Sequence, residues 1–299
     1  MLIIAKFNHN FLDFLRLGSF NINNHIMKTV LVPTDFSPTA ENAANYAGLF
    51  CKDAGAKLVL LHVYMLPVPV SEIPYVMVSA DEMQKASENA LTKETNRIAD
   101  AFNVEVEWIV RLGLASDEIR DIEKEKNIDI IIMGMNGSGE FDKLIGSTTT
   151  AVIRKCHQPV LVIPEDAKYI PFKLIAYATD YNYSVNVSCF EPLKALIKMY
   201  TSKLIVINVQ KVGKALDTEH ASGKDKLVMA LKDTDNTYVT IENNNIDYGL
   251  QQFIEANTPE LLTMVAHKHN VFERLFGTHH TKTMIYQTHI PVLVLQDKS

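Results

Sequence analysis

The chain has 299 residues, of which 47% are hydrophobic and 21% are charged, so it has the composition of a globular protein with room for two domains. The net charge is −6 and neither half of the chain is basic, which argues against a broad nucleic-acid-binding surface. No run of about 18 apolar residues predicts a membrane span, and three widely spaced cysteines favour a reducing, cytoplasmic setting over a disulfide framework.

The first 26 residues do not show the continuous apolar region and small-residue cleavage site of a signal peptide. Met27 leads directly into the first predicted strand. We therefore interpret residues 1–26 as a mobile extension or a start-site error. A short amphipathic anchor that uses Phe11, Phe14 and Leu15 is the alternative.

The stretch 27–165 alternates short apolar strands with amphipathic helices. The predicted strands are 30–33, 57–63, 104–110, 129–133 and 159–163. The predicted helices are 38–54, 80–102, a third that ends near 126, and 148–155. This alternation is typical of a parallel sheet with right-handed crossovers, which is the doubly wound α/β fold.

Local signals fix several of the helix ends. Gly55 should end the first helix, and Ser79 with Glu82 fits a capping box that begins the second. Ser116 or Asp117 can cap the third helix. The segment Leu66–Val78 contains three prolines, which predicts a loop or flap.

A glycine-rich loop follows the fourth predicted strand. It runs from Met133-Gly134 through Gly137 to Gly146, where Ser147, Thr148 and Thr149 begin a helix. Glycines let the backbone approach a phosphate, and the amides and dipole at a helix start favour an anion. The pattern therefore predicts a phosphate site, although a plain turn between strand and helix is the alternative.

The carboxyl ends of parallel strands meet at one edge of the sheet, where such folds bind ligands. Three segments should therefore lie together: Thr34-Asp35, His62-Val63-Tyr64 at the end of the second strand, and the glycine loop. An acidic side chain facing a phosphate site suggests a nucleotide. Asp35 could equally cap the first helix, and the two roles can coexist.

The same order of segments returns in the second half, which predicts two copies of one domain, at 27–165 and 170–299. The repeats of 28–35, 57–63, 130–133, 141–147 and 159–162 are 173–180, 203–209, 261–264, 272–278 and 291–294. A chain of this kind should contain two tandem five-stranded sheets.

The copies differ at the glycine loop. In an ungapped alignment Gly134 becomes Val265 and Gly137 becomes Lys268, and a valine resists positive φ and blocks close approach of the backbone. The second copy keeps the equivalents of Asp35, Gly146 and Ser147, which are Asp180, Gly277 and Thr278. It should also lack much of the flap and of the second helix. We interpret it as a degenerate, empty site.

Four histidines stand near the corresponding edge of the second copy: His267, His269, His279 and His280. Imidazoles can bind metals, but no cysteine or acidic partner accompanies these at ligand spacing. The prediction is a solvated polar loop and no metal site.

These residues resemble the universal stress protein family in its tandem two-domain form. The family pattern is glycine, two residues, glycine, nine residues, glycine, then serine or threonine. Here eight residues separate Gly137 from Gly146-Ser147. The resemblance covers nearly all of residues 27–296.

The resemblance implies a five-stranded parallel sheet per domain and ATP, with or without Mg, at the strand ends. It would place the adenosine against Asp35 and the backbone of Pro33-Thr34, and the adenine against the main chain of Val63. The ribose and phosphates would contact Met133, Gly134, Gly137, Gly146, Ser147, Thr148 and Thr149. Family members dimerise through their last strands, so 160–163 and 292–295 should pair antiparallel as an internal pseudo-dimer, and a homodimer is also compatible.

Three functions follow from these expectations. The leading one is an ATP-binding regulatory protein of the stress response, with one working site, no catalytic residues and no more than weak ATP hydrolysis. The alternative is a protein-interaction module that binds no nucleotide, with its partner unspecified. An ATP-pyrophosphatase-type enzyme ranks last, because Pro33-Thr34-Asp35-Phe36-Ser37 stands where such an enzyme has a Ser-Gly-Gly loop.

Overall fold

The computed structural model describes residues 27–66, 79–135, 145–181, 186–266 and 289–297. The predictions about the N-terminal extension, most of the flap Leu66–Val78, Gly137, Lys268 and Gly277-Thr278 lie outside these residues. So do the four histidines of the second half, His267, His269, His279 and His280.

The described residues contain ten strands. In chain order the strands are β1 Thr29–Pro33, β2 Lys57–Tyr64, β3 Val106–Leu112, β4 Ile130–Gly134, β5 Val160–Ile163, β6 Leu174–Ala178, β7 Lys203–Gln210, β8 Asn236–Glu242, β9 Leu261–Ala266 and β10 Val292–Gln296. The α-helices are α1 Pro38–Ala54, α2 Ala80–Phe102, α3 Ala115–Glu125, α4 Ser147–Lys155, α5 Glu191–Tyr200, α6 Thr218–Ala230 and α7 Ile246–Asn257, and a 3-10 turn Val187–Phe190 precedes α5.

All ten strands form one sheet in the order β3-β2-β1-β4-β5-β10-β9-β6-β7-β8. Neighbours are parallel within β1–β5 and within β6–β10, and the two halves meet where β5 and β10 pair antiparallel, with Leu161 opposite Leu293. The doubly wound fold and the antiparallel internal pairing are therefore confirmed. The predicted domain division, between 165 and 170, falls between β5 and β6.

An apolar core covers each face of the sheet. One core contains Phe50 and Leu91 of the first half with Leu196 and Leu204 of the second, and the other also draws on both halves. The halves are thus joined by shared packing as well as by the strand pair. None of the described helices combines the length and hydrophobicity that crossing a bilayer requires.

The sequence correctly predicts where α1 stops and where α2 begins. Gly55 follows α1 in the left-handed region, at φ 64°, and its N–H donates to the carbonyl of Cys51. The capping box of α2 is formed, with Ser79 and Glu82 each accepting from the other's backbone N–H. β3 begins two residues later than predicted, because α2 ends at Asn103 in the left-handed region and two residues are needed to reach the sheet.

The predicted cap of α3 is wrong. Leu114 occupies the cap position and no side chain bonds the first-turn amides. Ser116 and Asp117 lie inside the first turn, where both accept hydrogen bonds from the Lys155 ammonium of α4, at 2.9 and 2.8 Å. The long-range contact with Lys155 uses the two side chains that the sequence predicts as caps.

The second half keeps a shortened version of the second helix. The sequence predicts that much of this helix is lost, whereas α6 stands there with 13 residues, against 23 in α2. Asp217 caps α6 by accepting from the N–H of His220. The strand β8 and the helix α7 then complete the repeat.

The same bracing contact recurs at the start of each half. The Asp129 carboxylate accepts from the N–H groups of Lys28 and Thr29, and Glu260, at the aligned position, accepts from the N–H of Leu174. Each acid thus fixes the start of the fourth strand of its half to the start of the first. This repetition in three dimensions supports the interpretation of two copies.

Asp129→Ala should lower the free energy of unfolding by about 1–3 kcal/mol, because it leaves two backbone donors, one of them on buried Thr29, without their acceptor. Chemical denaturation would measure the change. Asp121→Ala is the control, since exposed Asp121 bonds only its neighbour Arg120 and should matter by less than about 0.5 kcal/mol. Equal effects from the two variants would contradict the bracing role.

Candidate functional site

A cavity of about 290 Å³ opens at the carboxyl ends of β1, β2 and β4. All ten predicted site residues that the structure describes line it. They are Pro33, Thr34, Asp35, Val63, Met133, Gly134, Gly146, Ser147, Thr148 and Thr149. The sequence did not single out four further lining residues, Ala40, Leu61, Ala115 and Ile119, whose signal is only the apolar pattern of the elements that carry them.

The turn after β1 is held by short-range bonds. The Thr34 hydroxyl accepts from the N–H of Phe36 at 3.0 Å, and the Asp35 carboxylate accepts from the N–H of Ser37 at 3.0 Å. The cap of α1 is Ser37, which accepts from the N–H of Ala40, so the expectation that Asp35 caps the helix is wrong. Asp35 instead braces the turn while it lines the cavity.

His62 lies at the edge where the sequence predicts it, and its role as a positioning residue is one that the sequence did not assign. Its Nδ1 bonds the carbonyl of Thr34 at 2.8 Å, and its ring lies against that of Phe36 with centroids 4.7 Å apart. The repeat holds the signal that could have found it. Asn208, at the aligned position, donates from its side-chain amide to the carbonyl of Thr179 at 2.9 Å.

The N-terminus of α4 also lines the cavity. Gly146 occupies the cap position without a side-chain hydrogen bond, and its own N–H donates to the carbonyl of Met135. The first turn, Ser147 to Thr149, contains no acidic residue, and first-turn amides have no acceptor within their helix. Together with the helix dipole, these amides favour an anion on the cavity side.

The Thr149 hydroxyl ties the helix to the strand before it, because it donates to the carbonyl of Gly134 at 3.0 Å. Thr149 is itself buried. The end of β4 and the start of α4 therefore keep a fixed separation at the cavity. Ser147 and Thr148 are left as the exposed hydroxyl residues of this turn.

Gly134 is required for a reason that the sequence analysis did not anticipate. It is absent from the glycines with positive φ, so it does not need left-handed freedom. A Cβ at this position would lie 2.8 Å from Cγ2 and 3.0 Å from the carbonyl oxygen of Thr39, on α1. Gly134 thus lets α1 pack closely against the end of β4, beside the cavity.

The Lys155–Asp117 ion pair joins the two helices that flank the cavity. The ammonium of Lys155, at the end of α4, lies 2.8 Å from Asp117 in the first turn of α3. This hydrogen bond and its charge hold the pKa of the Asp117 carboxyl below its ordinary value. Among the lining residues described above, Asp35 is the only titratable one, and the described part of the chain has no group of three His, Cys, Asp or Glu able to hold a metal.

The second half contains the same turn, but the aromatic residue in it is buried. The Thr179 hydroxyl accepts from the N–H of Tyr181 at 3.0 Å, and Tyr181 has φ 60° against 61° for Phe36. Phe36 is 39% exposed, however, while Tyr181 is 2% exposed, with the Lys224 ammonium 5.7 Å from its ring centre. Burial raises the pKa of Tyr181 to about 12.

Val265 occupies the place of Gly134, as the alignment predicts, and is buried at the end of β9. The close contact between strand and helix that a Cβ would prevent in the first half therefore cannot be repeated here. The remaining equivalents of the glycine loop lie outside the described residues.

Comparison with known proteins points to one family. A model of the universal stress protein family matches residues 27–164. A universal stress protein of Methanocaldococcus jannaschii is 32% identical over 155 residues, which are 46% of this chain and 94% of the relative. The crystal structure of a universal stress protein from Archaeoglobus fulgidus covers 90% of this chain and 96% of its own, with 21% identity and a TM-score of 0.66.

A further solved structure, a universal stress protein in complex with cAMP, covers 46% of this chain and 97% of its own, with 26% identity and a TM-score of 0.37. The likeness to the Archaeoglobus structure extends over both halves and shows the fold alone.

Gly134→Ala should lower the free energy of unfolding of the ligand-free protein by about 1–3 kcal/mol, because the new methyl group overpacks the contact with α1. Adding Thr39→Ser removes the nearest atom and should recover part of the loss. Chemical denaturation of the unaltered protein, the single variant and the double variant tests this. Unchanged stability in Gly134→Ala would show that α1 does not need the glycine.

Lys155→Met should raise the pKa of Asp117 toward its ordinary value near 3.9. Since the folded-state pKa is lowered, the pair stabilises the fold above about pH 4 and loses this effect as the pH falls through the folded pKa. NMR titration of the Asp117 carboxyl in both proteins measures the shift. The stability difference between them should shrink at acid pH, and a constant difference would contradict the pairing.

Proposed function

Since this chain belongs to the universal stress protein family, we propose that it is a regulatory protein of the stress response that binds ATP in the cavity of its first half. The nucleotide is the ligand and the signal. The second half supports the first and carries no working site of its own.

The observation that carries the proposal is that one cavity is lined both by a carboxylate and by a helix N-terminus that favours anions. One part of the lining is the carboxylate of Asp35, which accepts hydrogen bonds and suits the hydroxyls of a ribose. Another part is the uncapped, acid-free first turn of α4, which suits phosphates. A nucleotide has both parts in one molecule, whereas free phosphate would leave the Asp35 wall without a purpose.

Each part of the nucleotide contacts a different part of the cavity lining. Asp35, with the backbone of Pro33 and Thr34, contacts the adenosine, and the main chain of Val63 meets the base. Met133 and Gly134 contact the ribose and the first phosphate, and Gly137 belongs to the same loop by its position in the sequence. The amides of Ser147, Thr148 and Thr149 and the hydroxyls of Ser147 and Thr148 hold the phosphates, with or without a Mg ion between them, and Gly146 and the Thr149 hydroxyl position this turn.

The site is suited to binding more than to catalysis. General acid–base or nucleophilic chemistry needs a pair of positioned groups, and Asp35 is the only titratable side chain among the described lining residues. Proteins of this family are generally not enzymes. Slow hydrolysis of bound ATP by water remains compatible with such a site.

Asp35→Ala should weaken ATP binding by about 10- to 100-fold, because a hydrogen bond to a charged group contributes about 1.5–3 kcal/mol. Asp180→Ala is the matched control, since Asp180 holds the equivalent position of the turn in the second half, and it should leave the affinity unchanged. Isothermal titration with ATP, AMP and cAMP, with and without Mg, measures all three proteins; cAMP is included because a relative was solved with it.

Absence of binding to the unaltered chain at millimolar nucleotide would contradict the proposal. Equal losses in Asp35→Ala and Asp180→Ala would contradict the assignment of the site to the first half. Bound ATP should also raise the melting temperature, because a ligand that binds only the folded state stabilises it by mass action.

A protein-interaction module without a nucleotide is the second candidate. It is favoured by four exposed apolar side chains at or just after the carboxyl ends of β2 and β3, which are Met65, Leu66, Leu112 and Leu114. A protein purified in complex with a partner and free of adenine absorbance would support this reading. The three cysteines are buried and free, which supports a cytoplasmic setting for either function.

A further inference from the structure

The sheet has two outer strands, β3 and β8, in the part of the chain that the structure describes. The strands β5 and β10, through which the two halves meet, lie at its centre and are paired on both sides. Any continuation of the sheet must therefore use β3 or β8. An unpaired strand edge is a template for another strand.

The backbone of β3 shows which of its groups face outward. Leu58 of β2 donates to the carbonyl of Glu105 at 2.9 Å, and the N–H of Gly113 donates to the carbonyl of Tyr64 at 3.0 Å. Because consecutive residues of a strand direct their N–H and C=O to opposite sides, the odd-numbered residues from 105 to 113 bond β2. Val106, Trp108, Val110 and Leu112 therefore direct theirs to the open edge.

The edge is accessible and carries side chains suited to contact. A shallow groove of about 270 Å³ at this edge is lined by four consecutive residues of β3, Trp108 to Arg111, and by Glu88, Glu125 and Lys126. Trp108 is 38% exposed and Leu112 49%. Tryptophan and arginine are the residue types most often found at the energetic centres of protein interfaces.

We propose that β3 pairs antiparallel with β3 of a second copy of this chain, about a twofold axis through Ile109. Outward-facing residues must pair with outward-facing residues, and this register places Trp108 opposite Val110 and Val106 opposite Leu112. Glu107 of each copy then lies opposite Arg111 of the other.

The charge pattern within β3 favours this register. Residues 107 and 111 form a non-hydrogen-bonded pair, in which facing Cα atoms are closest, about 4.5 Å apart, so the opposite charges meet directly. Moving the axis to Trp108 or Val110 keeps the backbone bonds but separates Glu107 from Arg111. With the axis at Val110, Glu107 faces Gly113, and with the axis at Trp108, Glu105, one residue before β3, faces Arg111. The central register is thus the one that pairs both charged residues of β3 itself.

Glu107 and Arg111 also form ion pairs within one chain. Glu107 forms an ion pair with the ammonium of Lys126, and Arg111 bonds Glu125 at 2.9 Å. Pairing of two copies joins these pairs into one network across the edge. Networks of exposed charges contribute more than isolated pairs do.

The other outer strand lacks this self-complementarity. About its central residue, Val239, an antiparallel twofold pairing of β8 sets Thr237 opposite Ile241 and Asn236 opposite Glu242. No pair of opposite charges results. The chain already makes one antiparallel edge-to-edge joint of the proposed kind, between β5 and β10, with helices on both faces.

Sedimentation velocity of the full chain from about 1 to 500 µM tests the proposal. We expect a reversible dimer with a dissociation constant on the order of 10–100 µM, because small interfaces are weak. Glu107→Arg and Arg111→Glu should each weaken self-association at least tenfold, since each sets like charges opposite one another. An equimolar mixture of the two variants should restore the dimer, because both facing pairs become opposite in sign.

Glu242→Arg, an equivalent reversal on exposed β8, is the control and should leave the dimer intact. Unfolding curves check that each variant is folded.

Ile109→Cys gives a second test, which leaves the charged residues unchanged. The twofold axis sets position 109 opposite itself at a distance that a disulfide can span, so oxidised glutathione should produce a covalent dimer. Val239→Cys on β8 should not do so.

A chain that stays monomeric to 500 µM overturns the proposal. So does a dimer that survives both single charge reversals, or a mixture of the two variants that fails to associate. If the charge variants do not fold, the cysteine pair decides alone: a covalent dimer through position 109 supports the β3 pairing, and cross-linking only through position 239 overturns it.

Discussion

The antiparallel pairing of β5 with β10 determines the layout of the whole molecule. All strands of one half are parallel, so joining the halves through an antiparallel pair makes them run in opposite directions. The carboxyl ends of β1–β5 therefore lie at one edge of the sheet and those of β6–β10 at the other. A ligand in the first-half cavity cannot contact the equivalent edge of the second half. Each half must provide a complete site of its own or none, so the loss of the glycine at position 265 is not compensated by the other half.

The repeated turn after β1 and β6 separates what the fold needs from what the ligand needs. Phe36 and Tyr181 both adopt positive φ, which costs a non-glycine residue on the order of 1 kcal/mol, and both turns are held by a threonine hydroxyl. Because the second half keeps this strained turn without the close strand–helix contact at Gly134, the turn belongs to the fold. The features suited to a nucleotide are those beside it in the first half: the open space next to Asp35 and the unacidic start of α4.

The sequence predicted most of this fold because its signals are local. Gly55 predicts the C-terminus of α1, and the Ser79–Glu82 capping box predicts the N-terminus of α2. Short apolar runs predict the buried strands. The errors have long-range causes. Lys155 draws Ser116 and Asp117 away from the cap position, and Gly134 is needed because of Thr39, 95 residues earlier in the chain. The role of His62 was missed because its partner is a backbone carbonyl, which leaves no trace in residue type except the amide of Asn208 in the repeat.

The role of the second half follows from what α1 contacts. The N-terminus of α1 forms the cavity turn, and its outer side holds the segment that joins the halves. The Asn42 amide donates to the carbonyls of Pro164 and Ala167, and the Asp53 carboxylate accepts from the Tyr169 hydroxyl, which also bonds the hydroxyl of Tyr200 on α5. The helix that shapes the cavity is thus fixed at its far end to the second half. Since a Cβ at position 134 would meet Thr39 of α1, the cavity depends on the placement of this helix, and the second half contributes to it by holding the far end of α1.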